Sequence, residues 1–288
     1  MSWFGGEPLL NFHCIEELSA FAKTYCQKKD IVFFSTITTN GTLLTRQMLE
    51  SMKSLNFTFF QITIDGTQKE HDNVKVIKGK SAYEMTLRNI CLITEIIPSA
   101  EISLRYNYTT KNLKPDEFVN DLNLYLPCNI RHKIRLSIMK VWQENDEDVD
   151  ETIINKLIEK LQEYGYPVSF GPDFRCCYVD HEHYNCIFPN GKIDKCDNED
   201  FTNCRGDINS IGEIVWNKDP IFNSYSVFSH NNECTDCLFL PICYGPCPVE
   251  REHAYRNSMP LKCRFQNKDK LWRYRIHQYC KLHLSSNL

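Results

Sequence analysis

The most constraining stretch of this chain is Cys234 to Cys247, where four cysteines fall within fourteen residues in the spacing CX2CX5CX3C. Neither the 3.6-residue period of a helix nor the two-residue period of a strand puts those four positions on one face. Pro241, Gly245 and Pro246 break the segment into turns, so the chain can fold back and bring its thiols to a shared centre. Four thiolates suit tetrahedral zinc and suit a [4Fe-4S] cluster, and the spacing within this stretch leaves both open.

A disulfide framework is the competing use of cysteine, and it depends on compartment. The N-terminus, MSWFGGEPLL, lacks the charged and apolar regions of a signal peptide, and no apolar run approaches the length of a membrane span. The expected location is the cytoplasm, where thiols stay reduced. The chain has 15 cysteines. Cys14, Cys26, Cys91 and Cys128 are scattered and read as small buried hydrophobes. The other eleven lie between Cys176 and Cys280. This step in density places a domain boundary near residue 170, giving residues 1–168 and 169–288. A formal charge of -4 argues against nucleic acid as a partner, and no membrane partner is expected.

The first part alternates strand and helix patterns. Phe12, Ile15, Leu18, Phe21 and Ala22 recur at helical spacing between Asn11 and Lys28. Ile31–Thr38 reads as a strand ending in Thr39-Asn40-Gly41, and Thr45 caps a helix that runs to about Leu55. Phe57–Ile64 is a strand ending in Asp65-Gly66. Further on come a helix over 81–97, a strand over 101–109, a helix over 114–125, a strand over 134–141 and a helix over 150–164. An acidic stretch, 144–151, reads as a solvated loop and helix N-terminus. Strands that each end in a polar loop and lead into a helix define a parallel sheet with right-handed crossovers, whose ligand face lies at the strands' carboxyl ends. The expected fold class is α/β. Gly5 and Gly6 would let backbone amides approach a ligand there, with Glu7 offering an acceptor to an amine.

Taken together these loops resemble those of the radical SAM superfamily, and the last third resembles its SPASM domain. The resemblance implies a partial (β/α)6 barrel that holds S-adenosylmethionine (SAM) against a [4Fe-4S] cluster. Gly5, Gly6, Glu7 and Pro8 match the segment that receives the methionine amino group. Asn40 falls in the TNG after the next strand. Thr63 and Asp65, followed by His71-Asp72, resemble the S-[LI]-D-G…H-D segment, with Thr63 where serine is commoner. Arg105 and Asn107 resemble an R-x-N whose guanidinium suits the SAM carboxylate.

The SPASM pattern CX9-15GX4C…CX2CX5CX3C…C is met by Cys177, Gly191, Cys196, the four cysteines above and Cys263. It implies two auxiliary [4Fe-4S] clusters. One would use Cys177, Cys186, Cys196 and Cys247; the other Cys234, Cys237, Cys243 and Cys263. Cys176 is an alternative to Cys177. Asp197, after Cys196, resembles the general base of the sulfatase-maturing branch.

The superfamily's CX3CX2C does not occur in these 288 residues. The sequence-based expectation is therefore an N-terminal truncation that removes the first strand and its cluster loop, since residues 2–4 are short for a strand that Gly5 should end. A non-catalytic zinc or iron-sulfur peptide-binding module is the alternative. The function implied by the resemblance is maturation of a peptide or protein side chain through a 5'-deoxyadenosyl radical. The implied partners are a peptide or protein substrate and an electron donor such as flavodoxin or ferredoxin.

Overall fold

A computed structural model describes residues 1–141, 151–169, 177–197, 204–217, 232–261, 263 and 276. The acidic stretch lies almost wholly outside the described residues, as does Cys176. The chain divides into two compact units, 1–171 and 172–288.

In the first unit six parallel strands lie side by side in chain order: β1 (Ser2–Trp3), β2 (Ser35–Thr39), β3 (Phe57–Ile64), β4 (Glu101–Tyr108), β5 (Ile134–Lys140) and β6 (Val168–Ser169). The crossovers carry α1 (Phe12–Lys28), α2 (Arg46–Ser54), α3 (Gln68–Val74), α4 (Ala82–Ile96), α5 (Pro115–Tyr125) and α6 (Glu151–Glu163). The expected α/β class and its parallel sheet are what the structure has, as in a partial radical SAM barrel.

Alternation along the strands gives the sheet two unlike faces. Register sets Ile62 beside Leu104 and Leu136, and Ile64 beside Tyr106 and Ile138. All six are buried in one core with Leu49, Met52, Leu87, Ile90, Phe118 and Leu157 from the helices. The intervening positions are polar: Gln61 beside Ser103 and Arg135, then Thr63 beside Arg105 and Ser137. Among the described residues of the first unit the helices pack on the apolar face, which leaves the polar positions free of that packing.

Thr45 caps α2 as read, and Ser81 caps α4. Thr45 accepts the Met48 N–H at 3.2 Å and Ser81 accepts the Glu84 N–H at 3.1 Å. One strand begins later than expected. Ile31–Phe34 is not strand, because β3 offers a partner only from Phe57, opposite Ser35. Val32 is accordingly 88% exposed. No element was expected where α3 lies, a short polar helix without apolar periodicity that announces itself only through the capping box of Thr67 and Glu70. Among the scattered cysteines, Cys128 is exposed and the other three are half-buried, so none is the fully buried hydrophobe expected.

The second unit contains a four-stranded antiparallel sheet in the order β10-β9-β8-β7, with β7 Cys186–Ile187, β8 Lys192–Asp194, β9 Gly206–Ile208 and β10 Ile214–Trp216. A helix spans Pro248–Arg256. No helix among the described residues is long and apolar enough to cross a membrane.

Phe118 joins α5 to the sheet by stacking on Tyr106, with ring centroids 4.2 Å apart. Its ring is wholly buried, so Phe118→Ala should destabilise the first unit by about 3–5 kcal/mol. Urea denaturation followed by circular dichroism measures this.

Candidate functional site

The loops after β1, β2, β3 and β4 meet at one end of the sheet through two hydrogen-bonded groups. The first centres on Glu7. Its Oε1 accepts from the Thr39 hydroxyl at 2.7 Å and the Leu9 N–H at 3.1 Å, and its Oε2 accepts from the Asn40 N–H at 2.8 Å. Thr39 in turn accepts the Gly41 N–H at 3.0 Å. Much of the Glu7 carboxylate is thus engaged in locking the two loops together, a role that its resemblance to an amine receptor did not suggest. Asn40 shapes its own turn, its Oδ1 accepting from the Thr42 N–H and hydroxyl. Gly5, at φ +140°, adopts a conformation that disfavours any side chain, and nothing stands within 4 Å of where a Cβ of Gly5 or Gly6 would be. Pro8 opens a short 3-10 turn.

The second group joins β3 to β4. Arg105 donates from Nε to Asn107 Oδ1 at 2.9 Å, and Asn107 donates from Nδ2 to Asp65 Oδ1 at 3.1 Å. Thr63 lies beside Arg105 in register. Among the described residues no partner takes the terminal guanidinium nitrogens of Arg105, which leaves its bidentate edge for an anion. Open space at the glycines and this guanidinium are what a zwitterionic nucleoside such as SAM would need, so the residues present fit that group.

Two supporting residues were not among the sequence candidates. Asn112, in the loop after β4, donates from Nδ2 to the carbonyls of Asp65 at 3.1 Å and Asn107 at 3.0 Å. His71, noticed only as part of a motif, is fully buried and accepts the Asp65 N–H on Nδ1 at 3.1 Å. That bond fixes the neutral tautomer with its proton on Nε2. The 3.7 Å approach of His71 to Asp65 Oδ2 is therefore not an ion pair.

In the second unit, ion pairs draw cysteine-bearing segments together. Arg251 pairs with both carboxylate oxygens of Asp180, at 2.7 and 2.8 Å, three residues after Cys177. Arg205 bridges Asp194 and Glu252, at 2.5 and 2.8 Å. Asp194 lies two residues before Cys196, and Arg251 and Glu252 sit on the helix that begins after Cys247. Cys186 lies opposite Asp194 on β7. Burial, then the negative charges of Asp197 and Cys196, push its thiol up to about 11. Lys195 is wholly buried, donating to the carbonyls of His181, Glu182 and Tyr184 at 3.1, 2.6 and 2.5 Å, and burial lowers its pKa. Asp197 is exposed.

The CX2CX5CX3C stretch folds into short turns. The Cys237 N–H donates to the Cys234 carbonyl at 3.1 Å, closing the CX2C turn. Tyr244 and Gly245 take positive φ, and the Gly245 N–H donates to Cys243 Sγ at 3.3 Å. Cys237 packs against buried Cys243 and Phe239. Cys263 is exposed. Segments are gathered, but among the described residues no three Cys, His, Asp or Glu side chains converge at metal-binding distance. The donor set suits iron-sulfur chemistry without being assembled around a centre here.

Residues 1–121 match the sequence profile of the Radical SAM superfamily. This part of the chain is a radical SAM domain. Among curated proteins, the chain is 26% identical over 118 residues to Fe-coproporphyrin III synthase of Methanosarcina barkeri, covering 41% of this chain and 27% of that one. It is 23% identical over 278 residues to the radical SAM cyclopropyl synthase TigE of Paramaledivibacter caminithermalis, covering 90% and 56%. The chain thus spans about a quarter and just over half of these relatives. Among solved structures, native anSMEcpe with bound AdoMet and Cp18Cys peptide superposes with a TM-score of 0.59 at 15% identity, covering 100% of this chain and 86% of that one. Streptococcus suis SuiB bound to S-adenosylmethionine gives 0.54 at 18%, covering 92% and 64%. At such identities the likeness establishes a shared fold.

His71 gives the site a pH signature. Burial, outweighing the nearby carboxylates of Asp65 and Asp72, holds its pKa below the ordinary value. With the folded-state pKa lowered, the folded protein binds fewer protons than the unfolded chain just below the ordinary value of about 6.5. Stability present at pH 7 and above is therefore lost as pH falls through that range, with a slope of at most about 1.4 kcal/mol per pH unit from this group. In His71→Gln that part of the slope between pH 7 and 5 should vanish, as read by urea denaturation across the pH series.

Proposed function

We propose that this chain serves a radical SAM maturase that modifies a side chain of a peptide or protein. The carrying observation is that a radical SAM domain is followed, in the same chain, by a unit whose ion pairs draw together the segments of Cys177, Cys196 and Cys247. That grouping supports one auxiliary [4Fe-4S] cluster on Cys177, Cys186, Cys196 and Cys247, with a second on Cys234, Cys237, Cys243 and Cys263, the arrangement of a SPASM domain.

SAM together with a reduced [4Fe-4S] cluster supplies an organic radical that removes a hydrogen atom from an unactivated position. No CX3CX2C spacing occurs within residues 1–288, and the residues of this chain act by holding and positioning. Gly5 and Gly6 give SAM close access to the backbone, Glu7, Pro8 and Asn40 shape the loops around it, and Thr63, Asp65 and Asn107 line the polar face. Arg105 takes the carboxylate. Asp197, exposed beside Cys196, is available to accept a proton from substrate. Flavodoxin or ferredoxin is the class of electron donor such chemistry requires, and the cytoplasm is its setting. The anSMEcpe likeness, a complex with a peptide, supports a peptide substrate over a small metabolite.

Anaerobic reconstitution should load about eight iron and eight sulfide per chain, the content of two cubanes. The double variant Cys237→Ala, Cys243→Ala should retain about half, because each cubane has its own four thiolates. Stoichiometric zinc without acid-labile sulfide would overturn the reading in favour of a zinc-bearing binding module. Equal loss of both clusters in the double variant would overturn the ligand partition.

A further inference from the structure

Arg105 is aimed by a relay whose anchor is remote from it. Its Nε is spent on Asn107 Oδ1, and the Asn107 amide is oriented in turn by Asp65 Oδ1. Asp65 and Asn107 belong to different strand ends, and a relay of two side chains across that gap keeps its geometry only if the ends are held in step. Parallel pairing cannot do this alone, since the last β3–β4 partners are Ile64 and Tyr106.

Asn112 supplies the missing tie. Its one amide nitrogen donates to both the Asp65 and the Asn107 carbonyls. Its Oδ1 accepts the Thr109 N–H at 2.6 Å, its own N–H goes to the Thr109 hydroxyl at 3.2 Å, and its carbonyl accepts the buried Tyr106 hydroxyl at 2.7 Å. Both side-chain atoms and both backbone groups of Asn112 are therefore committed, in a residue only 8% exposed. Such a residue cannot rotate to serve a ligand itself, but it can set the orientation of those that do.

We propose that Asn112 is a positioning residue: by fastening the ends of β3 and β4 to each other it orients Asp65 and Asn107, and through them presents the free edge of Arg105 to the carboxylate of SAM. The last step rests on the reading of Arg105 given above; the relay itself does not.

The test uses the whole chain and nitrogen-15 NMR of arginine side chains. The Arg105 Nε–H, assigned by its loss in Arg105→Lys, should exchange with water roughly tenfold more slowly than that of an unbonded arginine, the worth of about one hydrogen bond. Asn112→Asp keeps the acceptor for Thr109 but turns a carboxylate toward two carbonyls. It should abolish that protection, as Asn107→Ala should, while the amide spectrum of the second unit is unchanged. Should Asn112→Asp fail to fold, Asn112→Ser, which fits the site and lacks the double donor, is read in its place. Protection that persists in a folded Asn112 variant overturns the proposal. Titration to millimolar ligand then separates the two claims: SAM should move the Arg105 signal and decarboxylated SAM should not, in the unaltered chain but not in the Asn112 variant. If neither ligand moves the signal, or both do alike, the carboxylate reading of Arg105 is overturned, and the relay stands or falls on the exchange measurement alone.

Discussion

The structure of the first unit depends on one constraint, that a parallel sheet must bury the face its crossover helices cover. Here the described helices of the first unit cover one face. Ile62, Leu104, Leu136 and their neighbours along β3, β4 and β5 meet that demand, which frees every alternate position to be polar. Thr63, Arg105 and Ser137 could not lie side by side on a sheet packed by helices on both sides without burying a charge. Separation of the two faces is therefore what permits a ligand site along the strands as well as at their ends.

The two hydrogen-bonded groups at the carboxyl ends divide the work differently. Around Glu7 the loops after β1 and β2 are bonded directly to each other, and the carboxylate is largely occupied in doing so. Around Asp65 the bonding is serial, and a guanidinium stands at the end of the series with its outer edge available. One group is a brace and the other a presenter, although both were read from motifs of similar standing.

Much of this was legible in the residues. The strands read over Phe57–Ile64 and 101–109, and the cap Thr45, are local signals with local causes, and they hold to within a residue. Ile31–Phe34 misled because apolar and β-branched character marks a strand only where a neighbour exists to pair with, and pairing is not a local property. Asn112 and Lys195 were invisible for a related reason: their worth comes from carbonyls, and every residue has a carbonyl. No residue type near Asn112 announces that the Asp65 and Asn107 carbonyls will need a common donor. In the second unit the cysteine spacing was plain, whereas the pairing of Asp180 with Arg251, 71 positions apart in the chain, left no trace in the pattern.

Lys195 carries a consequence for which substitutions the second unit can accept. An ammonium offers three donors spread about one axis, and this one meets three carbonyls contributed by residues 181, 182 and 184. A guanidinium is flat and too broad for that cup, glutamine has two donors and an acceptor that would face oxygen, and methionine would leave all three carbonyls bare. A comprehensive substitution library should therefore find position 195 as intolerant as a cysteine ligand, although lysine elsewhere on a protein is among the residues most freely exchanged. Selection at that position would act on the turn that leads into Cys186, and its severity would look like catalysis to anyone who scored it by tolerance alone.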